Sequence, residues 1–374
     1  MINTKDFLNS ANKIGINFFT GVPDSLLKEF SLALEEKFTI KNHVIAANEG
    51  GAIGLAVGYN LATSKIPMVY LQNSGLGNIV NPVTSIADKN IFSIPMILMI
   101  GWRGEPGFKD EPQHLKQGEV TLKFLEELGI DYLILDKKTN EACKQLEKLY
   151  SISSKFQKPV AVVVKKDSFS SLSTTEIESS SNFPSRFNVL DSILKSLKKD
   201  DIIVSTTGKT SREIFQIKSN DKFIQNPCFY TIGGMGHCSQ IALGISMQKA
   251  SKNMYCIDGD GSFIMHMGSN ALTANYGNSN FYHIVLNNES HDSVGGQPTI
   301  ANKLRFKLIS EGLGYKNYRC LKSLDEVKEF FNNPNIKSGP NFIEIKIRKG
   351  SSSSLGRPTN TPLQQKIDFI NQIN

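Results

Sequence analysis

Cysteine is sparse and scattered in this chain. Its five cysteines, Cys143, Cys228, Cys238, Cys256 and Cys320, form no C-x-x-C pair. An odd number spread this widely argues against a disulfide framework or a cysteine zinc site, and for free thiols in a reducing compartment. Long apolar runs are missing as well. The longest, Ile91 to Trp102, is interrupted by Ser93 and Pro95 and is too short to cross a bilayer. Met1-Ile2-Asn3-Thr4-Lys5-Asp6 lacks the basic-then-apolar layout of a signal peptide, so a cytoplasmic protein with no membrane partner is expected. Nor is there any run of five like charges. The net charge is +7, yet Lys and Arg alternate with Asp and Glu, as in Lys144-Gln145-Leu146-Glu147-Lys148. Solvated helix faces and a site for a small anion explain that excess better than a nucleic-acid surface does.

What is present is a folded α/β chain. Hydrophobic residues make up 40% and charged residues 21% of 374, which fits a globular protein with two cores of ordinary size. Strand and helix patterns alternate. Phe7 to Lys13, Leu26 to Phe38 and Gly50 to Thr63 read as helices. Asn17 to Thr20, Ile45 to Asn48, Met68 to Gln72, Pro95 to Ile100, Tyr132 to Leu135 and Val160 to Val164 read as strands. Compact apolar strands between helices predict a parallel sheet covered on both faces. A Ser-rich stretch, residues 168–185, is the expected linker between domains spanning 1–167 and 186–374. After it come a helix over Phe187 to Leu197, a strand over Ile202 to Ser205, a helix over Ser239 to Met247, and strands over Met254 to Ile257, His283 to Leu286 and Phe342 to Lys346. Two doubly wound parallel-sheet domains are predicted.

The sharpest chemical signal is Asp258-Gly259-Asp260-Gly261-Ser262, followed 25 positions later by Asn287-Asn288. Asp260 follows a strand, at the sheet edge where doubly wound folds bind ligands. Gly259 and Gly261 would let the backbone turn and approach a phosphate, with Ser262 opening a helix. Asn288 returns to the same edge one crossover later. Asp260, Asn288 and a backbone carbonyl, that of Ser290, would give a hard divalent ion the oxygen ligands it needs to bridge a diphosphate. Alone, Gly-Asp-Gly is an ordinary turn; the Asn pair at this distance makes it a thiamine diphosphate motif. A second signal, Asn48-Glu49-Gly50-Gly51-Ala52, sets a carboxylate at a strand end before a helix of tiny residues. Such a Glu is commonly a helix cap. With the downstream motif it is a candidate proton-transfer group for the aminopyrimidine of that cofactor.

The sequence resembles the phosphonopyruvate decarboxylases, in the pyruvate decarboxylase-like branch of thiamine enzymes. The likeness runs through Gly21-Val22-Pro23-Asp24-Ser25, the Glu49 segment, Gly101-Trp102-Arg103-Gly104, Asp110-Glu111-Pro112-Gln113-His114, Thr207-Gly208-Lys209-Thr210-Ser211-Arg212-Glu213, the Asp260 motif and His291 to Thr299. The resemblance implies a thiamine diphosphate-binding fold with pyrimidine and diphosphate domains and no middle domain. It implies thiamine diphosphate and Mg²⁺ as cofactors, and a homodimer or homotetramer with active sites between subunits. It gives Glu49, Asp24 and His114 catalytic roles and makes Asp260, Asn288 and Ser290 the metal ligands. Thr210, Ser211, Gly233, Met235, Gly261 and Ser262 would contact the cofactor, with Met235 wedged between its rings. The substrate would be a small anionic 2-oxo acid, 3-phosphonopyruvate, decarboxylated for phosphonate biosynthesis. Arg103, Lys109, Lys209, Arg212 and Arg357 are the candidate cations for its phosphonate. The Ser351 to Ser354 tract suggests a segment that could close over the site. Sulfopyruvate as substrate and a carboligase reaction remain open. So does a non-catalytic Mg-nucleotide binder, for which Ser74-Gly75-Leu76-Gly77-Asn78 offers only a partial dinucleotide loop.

Overall fold

The computed structural model describes residues 1–171, 181–332, 338–351, 355–356 and 359–374. Arg357 and residues 352–354 of the serine tract lie outside the described residues. Two compact units divide the chain, Met1–Glu176 and Ile177–Asn374. Each is built on a six-stranded sheet whose paired strands are all parallel.

The strands of the first unit are β1 (Phe19–Gly21), β2 (His43–Ile45), β3 (Met68–Gln72), β4 (Met96–Gly101), β5 (Asp131–Ile134) and β6 (Pro159–Val164). Their spatial order is β2-β1-β3-β4-β6-β5. Successive residues of β3 serve opposite cores: Met68 and Tyr70 join Phe7, Phe19 and Phe30, while Val69 and Leu71 join Ala52, Ile53 and Leu98. A strand buried on both faces must be apolar at every position, which is why β3, β4 and β6 read as unbroken apolar runs. The helix Glu49–Thr63 starts where Asn48 Oδ1 accepts the Gly51 N–H at 2.8 Å. It buries Ala52, Ile53 and Ala56. Ser168 and Phe169, expected in the linker, fold into this unit instead: Ile2 donates to the Ser168 carbonyl, and Phe169 packs edge-on against Phe7.

The second unit contains β7 (Ile202–Ser205), β8 (Cys228–Tyr230), β9 (Met254–Gly259), β10 (Phe281–Asn287), β11 (Asn317–Leu321) and β12 (Asn341–Lys346). Its order is β11-β12-β10-β9-β7-β8. In each sheet the chain leaves the first strand in one direction and returns on its other side, so β1/β3 and β7/β9 are the points where winding reverses. Ligand crevices of such sheets lie beyond the carboxyl ends of those strands.

Three sequence expectations are corrected. Strands β8 and β11 went unpredicted, because both are short edge strands with half-buried residues. The strand expected at Ile45 to Asn48 ends at Ile45, since Asn48 is needed as a helix cap. The helix after β9 opens at Asp260, not Ser262. Among the described residues no helix is long and apolar enough to cross a membrane.

Candidate active site

In the first unit the carboxyl ends of three strands, β1, β2 and β4, gather charged groups. Asp24 follows β1 and is fully buried. Its Oδ1 accepts from Gln72 Nε2 at 2.6 Å, while Oδ2 has no partner. Gly101, the last residue of β4, must lack a side chain there, because a Cβ would overlap Asp24 Oδ2. Burial raises the Asp24 pKa, against the opposing pull of Gln72 and Arg103. Glu49 follows β2 and is 5% exposed; its Oε2 accepts from Asn78 Nδ2 at 2.7 Å.

Arg103 follows β4 and is anchored on several sides. Nε and an η nitrogen bind the two Asp110 oxygens at 2.9 and 2.5 Å, and the other η nitrogen donates to Ser25 Oγ at 2.9 Å. Burial alone would raise the Asp110 pKa, but the Arg103 fork and the N–H groups of Glu111 and Gly104 hold it well below the usual range. His114 sits in the first turn of the helix Pro112–Glu127. Its Nδ1 is buried without a partner, and burial with the nearby Arg103 charge lowers its pKa to about 4. Asp24 and His114 thus flank one arginine, the first a carboxyl that burial keeps protonatable and the second a neutral imidazole. Lys109 is exposed.

In the second unit Asp260 is 2% exposed at the exit of β9. Thr299 Oγ1 donates to its Oδ2 at 2.6 Å, and burial raises its pKa to about 7. Asn288 follows β10. Its Nδ2 donates to Asp292 Oδ2 at 2.8 Å, and its Oδ1 accepts the Ser290 N–H at 3.1 Å. Asp292 Oδ2 also accepts from the Gly350 N–H at 3.1 Å and from an η nitrogen of Arg186 at 3.4 Å. Arg186 is itself buried against Glu213 at 3.0 Å. Asp292 therefore fixes which way the Asn288 amide faces. Among the described residues no cluster of three His, Cys, Asp or Glu could hold a metal. A hard ion taking one carboxylate, one amide oxygen and one carbonyl needs no such cluster, and this donor set fits it.

Other second-unit candidates connect to the Asp260 turn through Ser262 or open the helix Lys209–Asn220. Ser262 Oγ accepts from the Gly236 N–H and from Thr206 Oγ1, both at 3.0 Å, and so ties the Gly233–Gly236 loop to the Asp260 turn. Gly234 and Gly236 adopt positive φ, and Met235 is half-buried between them. The glycines at the turn itself differ from expectation. Neither Gly259 nor Gly261 has a positive φ; a Cβ on Gly259 would meet open space, and one on Gly261 would lie 3.0 Å from His291 Cε1. Lys209, Thr210 and Ser211 open the helix Lys209–Asn220, which has no side-chain cap. Ser211 Oγ is turned inward to the Thr206 carbonyl at 2.7 Å, so its hydroxyl proton is already engaged. Lys209 and Arg212 are half-buried, and burial lowers the Lys209 pKa.

Sequence reasoning missed Gln72, Asn73, Asn78, Arg186 and Asp292. Asp292 lay inside the His291 to Thr299 segment, which could have flagged it; Arg186 carried no signal at all.

Comparison with known proteins fits this division of groups. Residues 4–128 match the thiamine pyrophosphate enzyme N-terminal TPP binding domain, and residues 205–345 match the C-terminal TPP binding domain. The chain is 30% identical to a phosphonopyruvate decarboxylase of Streptomyces viridochromogenes, across 97% of this chain and 93% of that protein. A second phosphonopyruvate decarboxylase, from Streptomyces hygroscopicus, is 30% identical across 97% and 92%. A sulfopyruvate decarboxylase of Methanosarcina acetivorans is 23% identical across 92% and 91%. Oxygen donors that suit a hard ion in one unit, a buried carboxylate at a strand end in the other, and identity sustained along nearly the whole chain lead to one conclusion: the protein belongs to the thiamine pyrophosphate enzymes, in the phosphonopyruvate decarboxylase family.

Proposed function

We propose that the protein decarboxylates 3-phosphonopyruvate to phosphonoacetaldehyde and CO₂, using thiamine diphosphate and Mg²⁺. The supporting observation is 30% identity to two phosphonopyruvate decarboxylases over 97% of the chain, against 23% to the sulfopyruvate enzyme. When bound, thiamine diphosphate supplies the nucleophilic carbon and the electron sink that a 2-oxo acid needs to lose CO₂.

The chain's own residues must bind, orient and move protons. Asp260, Asn288 and the Ser290 carbonyl would hold Mg²⁺. The uncapped start of Lys209–Asn220, with Thr210, and the Gly261–Ser262 turn would face the diphosphate. Gly233 and Met235 would shape the cofactor's bend. Glu49 would exchange a proton with the aminopyrimidine nitrogen.

In the reaction the C1–C2 bond of the substrate breaks, and the carbon left behind takes a proton. Asp24 suits that delivery, because burial favours its protonated form and Oδ2 has no other partner. His114, neutral at pH 7, suits relay to or from the carbonyl oxygen. A phosphonate carries nearly two negative charges, which Lys209 and Arg212 would meet. Arg103 is committed to Asp110 and acts through its field on Asp24 and His114. The enzyme would work in the cytoplasm as a homodimer or homotetramer with active sites between subunits.

A CO₂-release assay with phosphonopyruvate and sulfopyruvate in competition tests the substrate. Preferred turnover of phosphonopyruvate is expected. Preferred turnover of sulfopyruvate would overturn the assignment while keeping the chemistry.

A further inference from the structure

The segment leaving β3, Gln72–Asn78, contains the Ser-Gly-Leu-Gly-Asn stretch, which only partly matches a dinucleotide loop. It forms a tight turn, Asn73–Gly75, and then the helix Leu76–Pro82. Two of its amides reach buried carboxyl groups, and a third holds the Arg103 backbone. Gln72 Nε2 donates to Asp24 Oδ1 at 2.6 Å, and Ser74 Oγ donates to Gln72 Oε1 at 2.9 Å, so the Gln72 amide can face only one way. Asn73 brackets the Arg103 backbone, donating to its carbonyl at 2.8 Å and accepting its N–H at 3.2 Å. Asn78 Nδ2 donates to Glu49 Oε2 at 2.7 Å. Between these contacts, Gly75 leaves room for Glu49; a Cβ there would lie 2.5 Å from Oε1.

A carboxyl group has two oxygens and hands over a proton at one. Asn78 occupies Glu49 Oε2 and Gln72 occupies Asp24 Oδ1. Glu49 Oε1 lies against the bare Gly75, and Asp24 Oδ2 is buried without a partner. The donors are neutral amides. An arginine or lysine in either place would hold the carboxylate in its ionised form, whereas an amide orients it with a much weaker preference. Hydrogen bonds from amides at these two points thus separate orientation from charge.

Resting on the function proposed above, we propose that Asn78 and Gln72 are positioning residues that assign each carboxyl its working oxygen, Oε1 for Glu49 and Oδ2 for Asp24. The proton-transfer geometry of the first unit is then set from one loop.

The test uses the full chain loaded with thiamine diphosphate and Mg²⁺, without substrate for the Glu49 arm and with phosphonopyruvate turnover for the Asp24 arm. It measures cofactor affinity by calorimetry, and the exchange of the cofactor's acidic thiazolium C–H for deuterium by quenched proton NMR. Asn78→Ala is expected to bind the cofactor within about threefold of the parent but exchange roughly 10- to 100-fold more slowly, because the carboxyl is present and misplaced. Asn78→Asp sets a second carboxylate against Glu49, and its exchange profile should move to higher pH. Gln72→Leu should lower kcat by about tenfold with KM little changed. Parent-rate exchange by Asn78→Ala would overturn the assignment for Glu49, as would an unshifted profile for Asn78→Asp should the alanine variant not fold. Unchanged kcat in Gln72→Leu would overturn it for Asp24. Failure of the parent to bind or exchange would instead strike the proposed function itself.

Discussion

The two units wind their sheets alike and equip them differently. The first orders its strands β2-β1-β3-β4-β6-β5; the second, counted from its own first strand, follows the same order. Equivalent strand exits can therefore be matched. Beyond β1 lies the buried carboxyl of Asp24, and beyond β7 the Thr206–Ser211 turn. Beyond β2 lies Glu49, and beyond β8 the glycine loop with Met235. Beyond β3 lies the amide-rich Gln72–Asn78 segment, and beyond β9 Asp260 with its Thr299 partner. Beyond β4 lie Arg103 and Asp110, and beyond β10 Asn288 and Asp292. Topology decides where a ligand can be met; the residues at each exit decide what is done to it. On the function proposed above, the first unit's groups would move protons and the second's would hold an anion and its metal.

The largest expected effect separates those tasks. Asp260→Ala should weaken Mg²⁺-dependent thiamine diphosphate binding by roughly 100-fold or more in calorimetry, because the one charged metal ligand is gone. Glu49→Gln should bind the cofactor nearly as the parent does. Equal losses in both variants would break the division. Next comes Asp292→Ala, which removes the acceptor that turns the Asn288 amide. Half-saturation by Mg²⁺ should rise about 10- to 100-fold, in the range of other outer-shell changes. An unchanged Mg²⁺ titration would show that Asn288 orients itself.

Smaller effects compare one strand-end glycine from each unit and test one buried imidazole. Gly101→Ala should cost about 1–3 kcal/mol in urea unfolding of the apoprotein, since the new methyl overlaps Asp24. Gly259→Ala, which meets open space at an ordinary φ, should stay within about 0.5 kcal/mol. An acid effect is expected in the first unit as well. His43 is buried beside the Tyr70 hydroxyl, and burial lowers its pKa to about 4. The unfolded chain then binds more protons than the folded one between pH 6.5 and 4. Stability should fall as pH drops through that window, by at most about 1.4 kcal/mol per pH unit from this group. His43→Gln should flatten that slope in pH-dependent melts; an unaltered slope would assign it elsewhere.

Legibility from sequence followed burial and chain distance. Central strands such as β3, β4 and β9 are apolar at nearly every position, so their runs were readable, β3 to the residue. Outer strands β2, β8 and β11 were shifted or missed, because a short half-exposed strand has no such run. Asp260 and Asn288 were legible because their spacing is one crossover of a parallel sheet. The contacts that aim them were not. Gln72 meets Asp24 across 48 positions, and Arg186 meets Asp292 across 106. No local pattern encodes pairs at that separation. The glycines of the Asp260 turn were assigned to backbone freedom, yet Gly261 answers to the crowding of His291 instead.

The proposed division of labour requires that proton handling by Glu49 in the first unit be separable from cofactor anchoring in the second. The most direct measurement is the rate of CO₂ release from phosphonopyruvate by Glu49→Gln at saturating thiamine diphosphate and Mg²⁺. A fall of at least about 100-fold, with the cofactor still bound, is the expected result. Release at the parent rate would contradict the account.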